Sequence, residues 1–461
     1  MTPRPDGGGR RFPFPESPLL PPETETERFL YSLTRFGMKP GLANIEALAK
    51  RFGHPERRLR FIHVAGSNGK GSVCAFLESL LRAAGRRTGL FTSPHVLHVG
   101  ERLRVDGCSL DDAGVAALTE RVADAVRERE ATFFETLTLM GLLHFEAAGV
   151  DWVLWETGLG GRLDSTRVAP ADLAVLTTIS REHTRYLGGT LAEIAREKLA
   201  IGRPGKPFHV GLRDPALVDL ARGEAARIGF ELRLLDETLP HRLDGGDLVI
   251  DTPADARLAG RYPLPGLPAI QVRNAALALA VLADLEARRG ERLLPGDPAA
   301  ALAATPLPAR FHRVQAAPPL VLDGAHNPEA LAATLAAWDA LAGEAGVTVF
   351  GCMADKEVPE LLALLAARPR RVVLTAANQP RALAPDDLLA RAAGAAPAGS
   401  DGTAPGDPAA AARADGPPGW RAAPDLAAAL RAAGEDAPVL VTGSFYLAAE
   451  AYHLLGIDPW S

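Results

Sequence analysis

A glycine-rich segment with one lysine could bind phosphate through its backbone. It reads Gly66-Ser67-Asn68-Gly69-Lys70-Gly71-Ser72, follows a short apolar stretch at 60–64 and precedes an apolar-periodic stretch at 73–84. Such loops point successive N–H groups at an anion, and the helix N-terminus adds partial positive charge. Gly71 separates Lys70 from Ser72, so the strict GxxxxGK[ST] pattern is not met, and a structural turn is the alternative. The strand–loop–helix context favours nucleotide binding.

A carboxylate and an imidazole follow two later predicted strands. Glu156 ends the buried stretch 150–155, and His183 follows the stretch 173–179. The carboxyl ends of strands in an open parallel sheet face the ligand crevice, where a carboxylate can hold Mg²⁺ against phosphate. A solvated strand-end glutamate and an ordinary histidine are the alternatives. Because the phosphate loop is present, a metal role is favoured for Glu156. For His183, a role in the site and an ordinary histidine are equally supported.

Lys198 lies on the apolar face of a predicted helix, 191–201, together with Leu191, Ile194 and Ala195. Lysine is almost never buried without a partner. From the pattern alone, a snorkelling lysine is the better interpretation. The alternative is a desolvated amine of lowered pKa that takes up CO₂ as a carbamate and faces a metal.

The elements that must position these residues form two α/β units. Predicted strands 60–64, 88–91, 151–155 and 173–179 alternate with helices 73–84, 191–201 and 271–289, after a helical region at 24–52. An Ala/Pro-rich stretch, 291–308, predicts a linker. A second alternation follows, with strands 320–322, 347–350, 371–375 and 438–441 and helices 329–341 and 358–366. We therefore predict a disordered tail at 1–22, units at 23–305 and 306–461, and a flexible insertion at 392–420.

Composition restricts the class of protein. The 461 residues are 47% hydrophobic and carry 50 basic against 56 acidic side chains, a net charge of −6, which is globular and offers no general field for nucleic acid. Three dispersed cysteines suit a reducing cytoplasm, and no apolar run indicates a signal peptide or a membrane span. Only six basic residues are lysines, so a lysine inside a motif is more apt to be needed for its own chemistry.

The motifs together resemble the folylpolyglutamate synthase/dihydrofolate synthase branch of the Mur ligase superfamily, from about Phe61 to the C-terminus. The resemblance is carried by segments 63–72, Thr92-Ser93-Pro94-His95, Thr132-Phe133-Phe134-Glu135, Glu156-Thr157-Gly158-Leu159-Gly160-Gly161-Arg162-Leu163-Asp164, Tyr186-Leu187-Gly188, Glu197-Lys198, Gln271 with Asn274, Arg310-Phe311, Asp323-Gly324-Ala325-His326-Asn327-Pro328, Asp355-Lys356 and Thr442-Gly443-Ser444. Three positions depart from the family pattern. Glu182 stands where the family has Asp, Ser180-Arg181 replace small residues, and Ser67 stands where Thr is usual.

The resemblance implies a P-loop ATPase domain with a mostly parallel sheet, a smaller Rossmann-like glutamate ligase domain, and a cytoplasmic monomer. It implies an ATP-dependent ligase that adds L-glutamate to dihydropteroate or to the γ-carboxylate of a reduced folate through an acyl phosphate, with two Mg²⁺ ions. By position, the implied nucleotide contacts are Asn68, Gly69, Lys70, Gly71, Ser72, Asn274, Arg310 and Asp323. The implied metal ligands are Ser93, Glu156, His183 and carbamylated Lys198.

The same resemblance implies that the pocket for the pterin substrate, the acceptor of glutamate, is lined by Thr132, Phe133, Phe134, Glu135, Leu163, Asp164 and Ser165. It places Asp323, His326 and Ser444 near the incoming glutamate, with Lys70, Lys198, Asp164, Asp323 and His326 as catalytic candidates. Without it, a helix start with buried aromatic residues explains 132–135, and an Asp-capped turn explains 323–327. The main alternative is a folylpolyglutamate synthase only. The loop 158–164 argues against another Mur-type amino-acid ligase, and the presence of Lys70, Lys198 and the 323–327 element argues against a nucleotide-binding module without catalysis.

Overall fold

The computed structural model describes residues 24–36, 41–251, 255–368, 370–395 and 417–460. The chain divides into two compact units, one ending at Pro306 and the other beginning at Leu307. The predicted tail at 1–22 and residues 396–416 of the predicted insertion lie outside the described residues.

The first unit is built on an eight-stranded sheet. Its strands are β1 Phe61–Ala65, β2 Thr88–Phe91, β3 Leu103–Val105, β4 Cys108–Ser109, β5 Trp152–Glu156, β6 Leu173–Leu176, β7 Pro207–Val210 and β8 Glu231–Leu234, in the order β4-β3-β2-β5-β1-β6-β7-β8. The pairs from β2 to β8 are parallel, and β3 and β4 add an antiparallel edge. A separate antiparallel sheet contains β9 Arg242–Asp244, β10 Asp247–Ile250 and β11 Gly260–Tyr262.

Eleven helices accompany these strands in the described part of this unit. They are α1 Glu25–Ser32, α2 Ala43–Arg51, α3 Lys70–Ala83, α4 Asp112–Arg129, α5 Phe133–Ala148, α6 Thr184–Leu187, α7 Leu191–Leu199, α8 Pro215–Ile228, α9 Leu235–Thr238, α10 Ala269–Arg289 and α11 Pro298–Ala303. Strands β1, β5 and β6 are buried along their whole length, as expected for a parallel sheet covered on both faces. One core gathers around Phe91 and Trp155, and another around Leu199 and Phe208.

The second unit holds a six-stranded sheet in the order β12-β13-β17-β14-β15-β16, parallel except for the β12–β13 pair. Its strands are β12 His312–Gln315, β13 Leu320–Leu322, β14 Val347–Phe350, β15 Val372–Leu374, β16 Trp420–Ala422 and β17 Val439–Thr442. Its helices are α12 Pro328–Ala342, α13 Val358–Ala366, α14 Pro385–Ala395, α15 Leu426–Ala433 and α16 Phe445–Leu455. The predicted α/β class is therefore confirmed in both units.

Two predictions from Ala-rich composition were wrong. The expected linker at 291–308 contains α11, whose Asp297 side chain accepts from the Ala300 N–H at 3.0 Å. The expected insertion at 392–420 is too long at both ends, because α14 continues to Ala395 and Trp420 begins β16. Alanine is the best helix former, so an Ala-rich stretch with a capping Asp or an acidic first turn forms a helix.

Candidate active site

The glycine-rich loop joins β1 to α3 at the centre of the large sheet. Gly66 has φ +151°, and a Cβ there would lie 1.8 Å from Thr177 Oγ1, so only glycine fits. Gly69 has φ +87° and precedes Lys70, the first residue of α3. Residues after β6 hold the loop, since Thr177 Oγ1 donates to the Asn68 carbonyl at 2.6 Å and the Asn68 N–H donates to Thr178 Oγ1 at 3.0 Å.

Lys70 and Lys198 converge on this loop. Lys70 Nζ donates to the carbonyl oxygens of Gly66 at 2.9 Å and Ser67 at 3.2 Å. Lys198 Nζ, from α7, donates to the same Gly66 oxygen at 2.9 Å and to Glu182 Oε1 at 2.8 Å. Lys198 is 1% exposed, so the buried amine, rather than a snorkelling lysine, is what the structure contains.

The electrostatics of this cluster make Lys198 easier to deprotonate than an ordinary lysine. Burial lowers the pKa of Lys198 to about 8, against the opposing charge of Glu182, and the positive charge of Lys70 lowers the pKa further. Burial acts to raise the pKa of Glu182, but the charges of Lys198 and Lys70 outweigh it and lower that pKa to about 2. The site therefore pairs an ionised carboxylate with an amine that loses its proton more easily than an ordinary lysine.

Two of the predicted metal ligands, Ser93 and Glu156, lie together at one edge of the sheet. Strands β2 and β5 pair in parallel, with Phe91 opposite Trp155, so Ser93 and Glu156 emerge side by side. The Ser93 N–H donates to Glu156 Oε2 at 3.0 Å, and Glu156 is buried. His183 is exposed at the start of α6 with φ +48°. Within the described ranges, no three His, Cys, Asp or Glu side chains form a preformed metal cluster.

The donor types at this edge fit Mg²⁺ bound together with a nucleotide. Carboxylate and hydroxyl oxygens, as supplied by Glu156 and Ser93, are ligands that Mg²⁺ prefers, and the ion commonly completes its shell with phosphates and water. Ser72 Oγ, buried at the start of α3, has no hydrogen-bond partner among the described residues. A buried hydroxyl of this kind calls for a ligand atom, which phosphate or a phosphate-bound cation would supply.

The residues predicted to line the pocket for the pterin substrate are of two kinds: polar residues that cap a helix and aromatic residues that pack against other rings. Thr132 and Glu135 form a capping box at the start of α5, with N–H donations of 2.8 and 3.2 Å, so the helix-start interpretation of these two is what the structure shows. Phe134 packs tilted against Phe91 at 5.7 Å between ring centroids. Phe133 stacks on Tyr31 at 5.6 Å. The aromatic rings, rather than the polar ends of the motif, are the surfaces that could bind a flat acceptor.

Asp164 is buried and organises the loop after β5. Its Oδ2 accepts from the N–H groups of Gly158 at 3.0 Å and Leu159 at 2.7 Å, and its Oδ1 accepts from Thr166. Ser165 Oγ bonds Thr138 Oγ1 at 2.8 Å, while Leu163 is 36% exposed. The contacts of Asp164 support a positioning role for this carboxylate.

Asn274 lies on α10 beside the phosphate loop. A Cβ on Gly69 would come within 2.9 Å of the Asn274 amide, and Asn274 Nδ2 donates to Gln271 Oε1 at 3.1 Å. Asn274 is 3% exposed. The N-terminal parts of α10 and α3 are thus brought together, with the predicted base contact next to the predicted phosphate contacts.

The second unit gathers its own candidates around Phe445. The Arg310 guanidinium lies 5.5 Å from the Phe445 ring centroid, and the His326 ring lies 6.0 Å from it. Ser444 caps α16, its Oγ accepting from Tyr446 N–H at 3.0 Å. Asp323 is buried and accepts from Phe311 N–H at 2.7 Å, Ala325 N–H at 2.9 Å and Thr334 Oγ1 at 2.9 Å. Arg310 and His326 share one aromatic neighbour, while Asp323 shapes the turn.

Sequence reasoning missed three kinds of contributor. From the sequence, Glu182 is only a departure from the family pattern, whereas in the structure it is the ion-pair partner of Lys198. Thr177 and Thr178, which hold the phosphate loop, follow β6 and could have been found as hydroxyls at the carboxyl end of the strand beside β1. Phe445 carried no signal, because an aromatic residue after a strand is ordinary in a core.

The fold and the loop define a Mur-type ligase. The chain matches the Mur ligase middle domain over residues 64–282 and the Mur ligase glutamate ligase domain over residues 309–445. It is 33% identical to the dihydrofolate synthase/folylpolyglutamate synthase of Bacillus subtilis over 382 residues, covering 79% of this chain and 87% of that protein. The chain therefore belongs to the folylpolyglutamate synthase/dihydrofolate synthase family.

Further relatives differ in length and in what their structures contain. A probable bifunctional folylpolyglutamate synthase/dihydropteroate synthase of Haloferax volcanii is 34% identical over 370 residues, 74% of this chain, which spans only 41% of that protein. The structure of Escherichia coli FolC with DHPP and ADP superposes with a TM-score of 0.78 at 29% identity, covering 94% and 98% of the two chains. A bifunctional synthase with Mn, AMPPNP and L-glutamate bound gives a TM-score of 0.77 at 30% identity, covering 97% and 100% of the two chains.

No helix among the described residues is long and apolar enough to cross a lipid bilayer.

Proposed function

We propose that this protein is an ATP-dependent ligase that joins L-glutamate to dihydropteroate, to the γ-carboxylate of a reduced folate, or to both. Family membership supports the reaction class, and the convergence of Lys70 and Lys198 on the Gly66 carbonyl is the observation that carries it. The related structures with DHPP and ADP, and with Mn, AMPPNP and L-glutamate, supply the chemical types of the ligands.

In the proposed reaction an acceptor carboxylate oxygen attacks the γ-phosphorus of ATP, forming an acyl phosphate and releasing ADP. The amine of L-glutamate then attacks the acyl carbon, phosphate leaves, and the ammonium proton passes to solvent or to a base. The Gly66–Ser72 loop would hold the phosphates through N–H groups, while Lys70 Nζ leaves its two carbonyl acceptors to contact them. Asn274, beside Gly69, would bind the base.

Two Mg²⁺ ions are proposed, one held by Ser93, Glu156 and His183 and one by Lys198 as its carbamate. When bound, they neutralise the phosphate oxygens and the acceptor carboxylate, two anions that otherwise repel. Carbamate formation requires the Lys198 ammonium to lose one proton first; its neutral Nζ then bonds to the carbon of CO₂ and releases a second proton. It replaces the counter-ion of Glu182 by an anion, an arrangement that a cation between the two groups would stabilise.

The acceptor is proposed to bind the stretch 132–135 and the loop 163–165, with Phe133 and Phe134 as its aromatic surfaces. Asp164, through the Gly158 and Leu159 N–H groups, keeps the loop after β5 in place. In the second unit, Arg310 and Asp323 are proposed for the nucleotide, and Asp323, His326 and Ser444 for glutamate. The protein is proposed to act as a cytoplasmic monomer.

Glutamate-dependent ADP release should be measured with dihydropteroate, with tetrahydrofolate and with a UDP-muramyl acceptor. Turnover with either pterin acceptor is expected, and dihydropteroate distinguishes a bifunctional enzyme from a folylpolyglutamate synthase. Lys70→Ala is the matched inactive control. Turnover with the muramyl acceptor alone would place the protein among other Mur-type ligases, and none with any acceptor would overturn the proposal.

A further inference from the structure

A strained turn surrounds Arg310 in the second unit. Ala309 and Phe311, the residues on either side of it, have φ values of +54° and +57° and are both buried. Non-glycine residues with positive φ are strained and persist only where the surroundings hold them. Because one such residue lies on each side of Arg310, a candidate nucleotide contact, we infer that the backbone is constrained so as to direct the Arg310 side chain.

Three buried hydrogen bonds hold this turn. The Tyr452 hydroxyl accepts from the Ala309 N–H at 2.9 Å, and Asp323 Oδ2 accepts from the Phe311 N–H at 2.7 Å. The Gly324 N–H donates to the Ala309 carbonyl at 2.8 Å. Asp323 and Gly324 belong to the motif already assigned to the site, whereas Tyr452, on α16, lies 143 residues along the chain from Ala309.

The neighbour of Tyr452 orients its hydroxyl. Tyr452 Oη lies 2.5 Å from His312 Nδ1. Oη accepts from the Ala309 N–H through one lone pair and forms a second hydrogen bond with His312 Nδ1, whose direction depends on the tautomer of that imidazole. Two hydrogen bonds thus join the Ala309 N–H, Tyr452 Oη and His312 Nδ1, and together they fix the hydroxyl beside the strained residue.

We propose that Tyr452, oriented by His312, is a positioning residue that holds the Ala309–Phe311 turn so that Arg310 is directed to the nucleotide. The Arg310 guanidinium is steadied in the same cluster, because Nη1 donates to the Pro308 carbonyl at 2.9 Å and the group lies over Phe445. This inference rests on the proposed nucleotide contact of Arg310.

A double-mutant cycle on the full chain tests the coupling. ADP and AMPPNP affinities are measured by titration calorimetry for wild type, Arg310→Ala, Tyr452→Phe and the double variant. Tyr452→Phe keeps the ring but leaves the Ala309 N–H unpaired, and it should weaken affinity about tenfold. In the Arg310→Ala background, the same change should have no further effect.

Two more variants separate positioning from general stability. His312→Phe removes the imidazole that is hydrogen-bonded to the hydroxyl and should weaken binding less than Tyr452→Phe does. If Tyr452→Phe does not fold, His312→Phe takes its place in the cycle. Tyr262→Phe is the control, since Tyr262 Oη donates to Leu258 O at 2.9 Å in the other unit. It should change thermal stability but not nucleotide affinity.

The outcomes are distinguishable from those of the ligase assay. Unchanged affinity in Arg310→Ala, with ADP release intact, would overturn the contact and this inference while leaving the proposed reaction. A loss in Tyr452→Phe that adds to that of Arg310→Ala, or no loss, would overturn the positioning role alone.

Discussion

Lys70 and Lys198 donate to one carbonyl oxygen, that of Gly66, at 2.9 Å each. Two ammonium groups this close repel, but the Glu182 carboxylate attracts Lys198 more strongly than Lys70 repels it, so burial is the main cause of the lowered pKa of Lys198. The arrangement has two ways to lose positive charge, through binding phosphate at Lys70 and through deprotonation and modification of Lys198. Both belong to the proposed reaction.

Lys198 is expected to carry a carbamate in the active protein. With ¹³C-labelled bicarbonate and Mg²⁺, wild-type protein should show a carbamate carbon signal in its ¹³C NMR spectrum, and Lys198→Arg should not, because guanidinium stays protonated. Ligase activity should fall at least about a hundredfold in both Lys198→Arg and Lys198→Ala. Full activity in Lys198→Ala, with no labelled signal in wild type, would remove the carbamate role.

Lys70→Arg should weaken nucleotide binding at least about tenfold. The ammonium is held between the Gly66 and Ser67 carbonyls, where a planar guanidinium cannot reproduce a compact point charge. Affinity for AMPPNP, measured by calorimetry, tests this. Lys206→Arg is the control, because Lys206 is exposed and should tolerate the change. Equal affinity in Lys70→Arg and wild type would contradict the phosphate role.

Gly158→Ala should raise the KM for the acceptor several-fold and leave the KM for ATP unchanged. A Cβ on Gly158 would lie 2.5 Å from the Phe134 ring, so that ring must move. The backbone of Gly158 needs no positive φ, which makes displacement of Phe134 the main effect. Gly223→Ala, where nothing lies within 4 Å of the new methyl, is the matched control. A changed KM for ATP would show that the loop after β5 serves the nucleotide instead.

Much of the framework around the site was predictable, because each strand is short, apolar and bounded by glycine or charge. Strands 88–91, 320–322 and 347–350 and helix 358–366 have the predicted bounds. The start of α3 was placed three residues late, since Lys70 and Gly71 have low hydrophobicity and the helix begins on polar residues of the loop. The small β9–β11 sheet was missed because its strands are three or four residues long and partly exposed.

The contacts that set the chemistry of the candidate site were less accessible to sequence reasoning. The pattern of α7 places Lys198 on an apolar face but favours a snorkelling lysine, because its burial and its pairing with Glu182 depend on how the segment after β6 folds back. Tyr452 meets Ala309 only through the β12–β13–β17 arrangement, and no local pattern encodes a contact over 143 residues. Hydrophobic periodicity in the sequence indicates which face of an element is buried, whereas the hydrogen-bond partners of a side chain depend on tertiary packing.

His63 is expected to make the first unit labile to acid. Its Nε2 lies 2.9 Å from Thr166 Oγ1, whose hydrogen is committed to Asp164, so the imidazole donates from Nε2 and its Nδ1 is a buried acceptor without a partner among the described residues. Burial, with the positive charges of Arg203 and Arg167, lowers the pKa of His63 to about 3. In the unfolded chain His63 takes up a proton near the ordinary histidine pKa, whereas in the folded chain it stays neutral at that pH.

Stability from His63 is therefore complete above about pH 6.5 and falls as the pH drops toward about 3, by about 1.4 kcal/mol per pH unit. His63→Gln, which can still donate an amide N–H to Thr166, removes this titration. Urea unfolding of both proteins between about pH 7 and about pH 4 should give a steeper loss of stability for wild type than for His63→Gln. Parallel curves would mean that the imidazole is protonated in the folded protein, with an anion or a rearranged Arg203 compensating its charge.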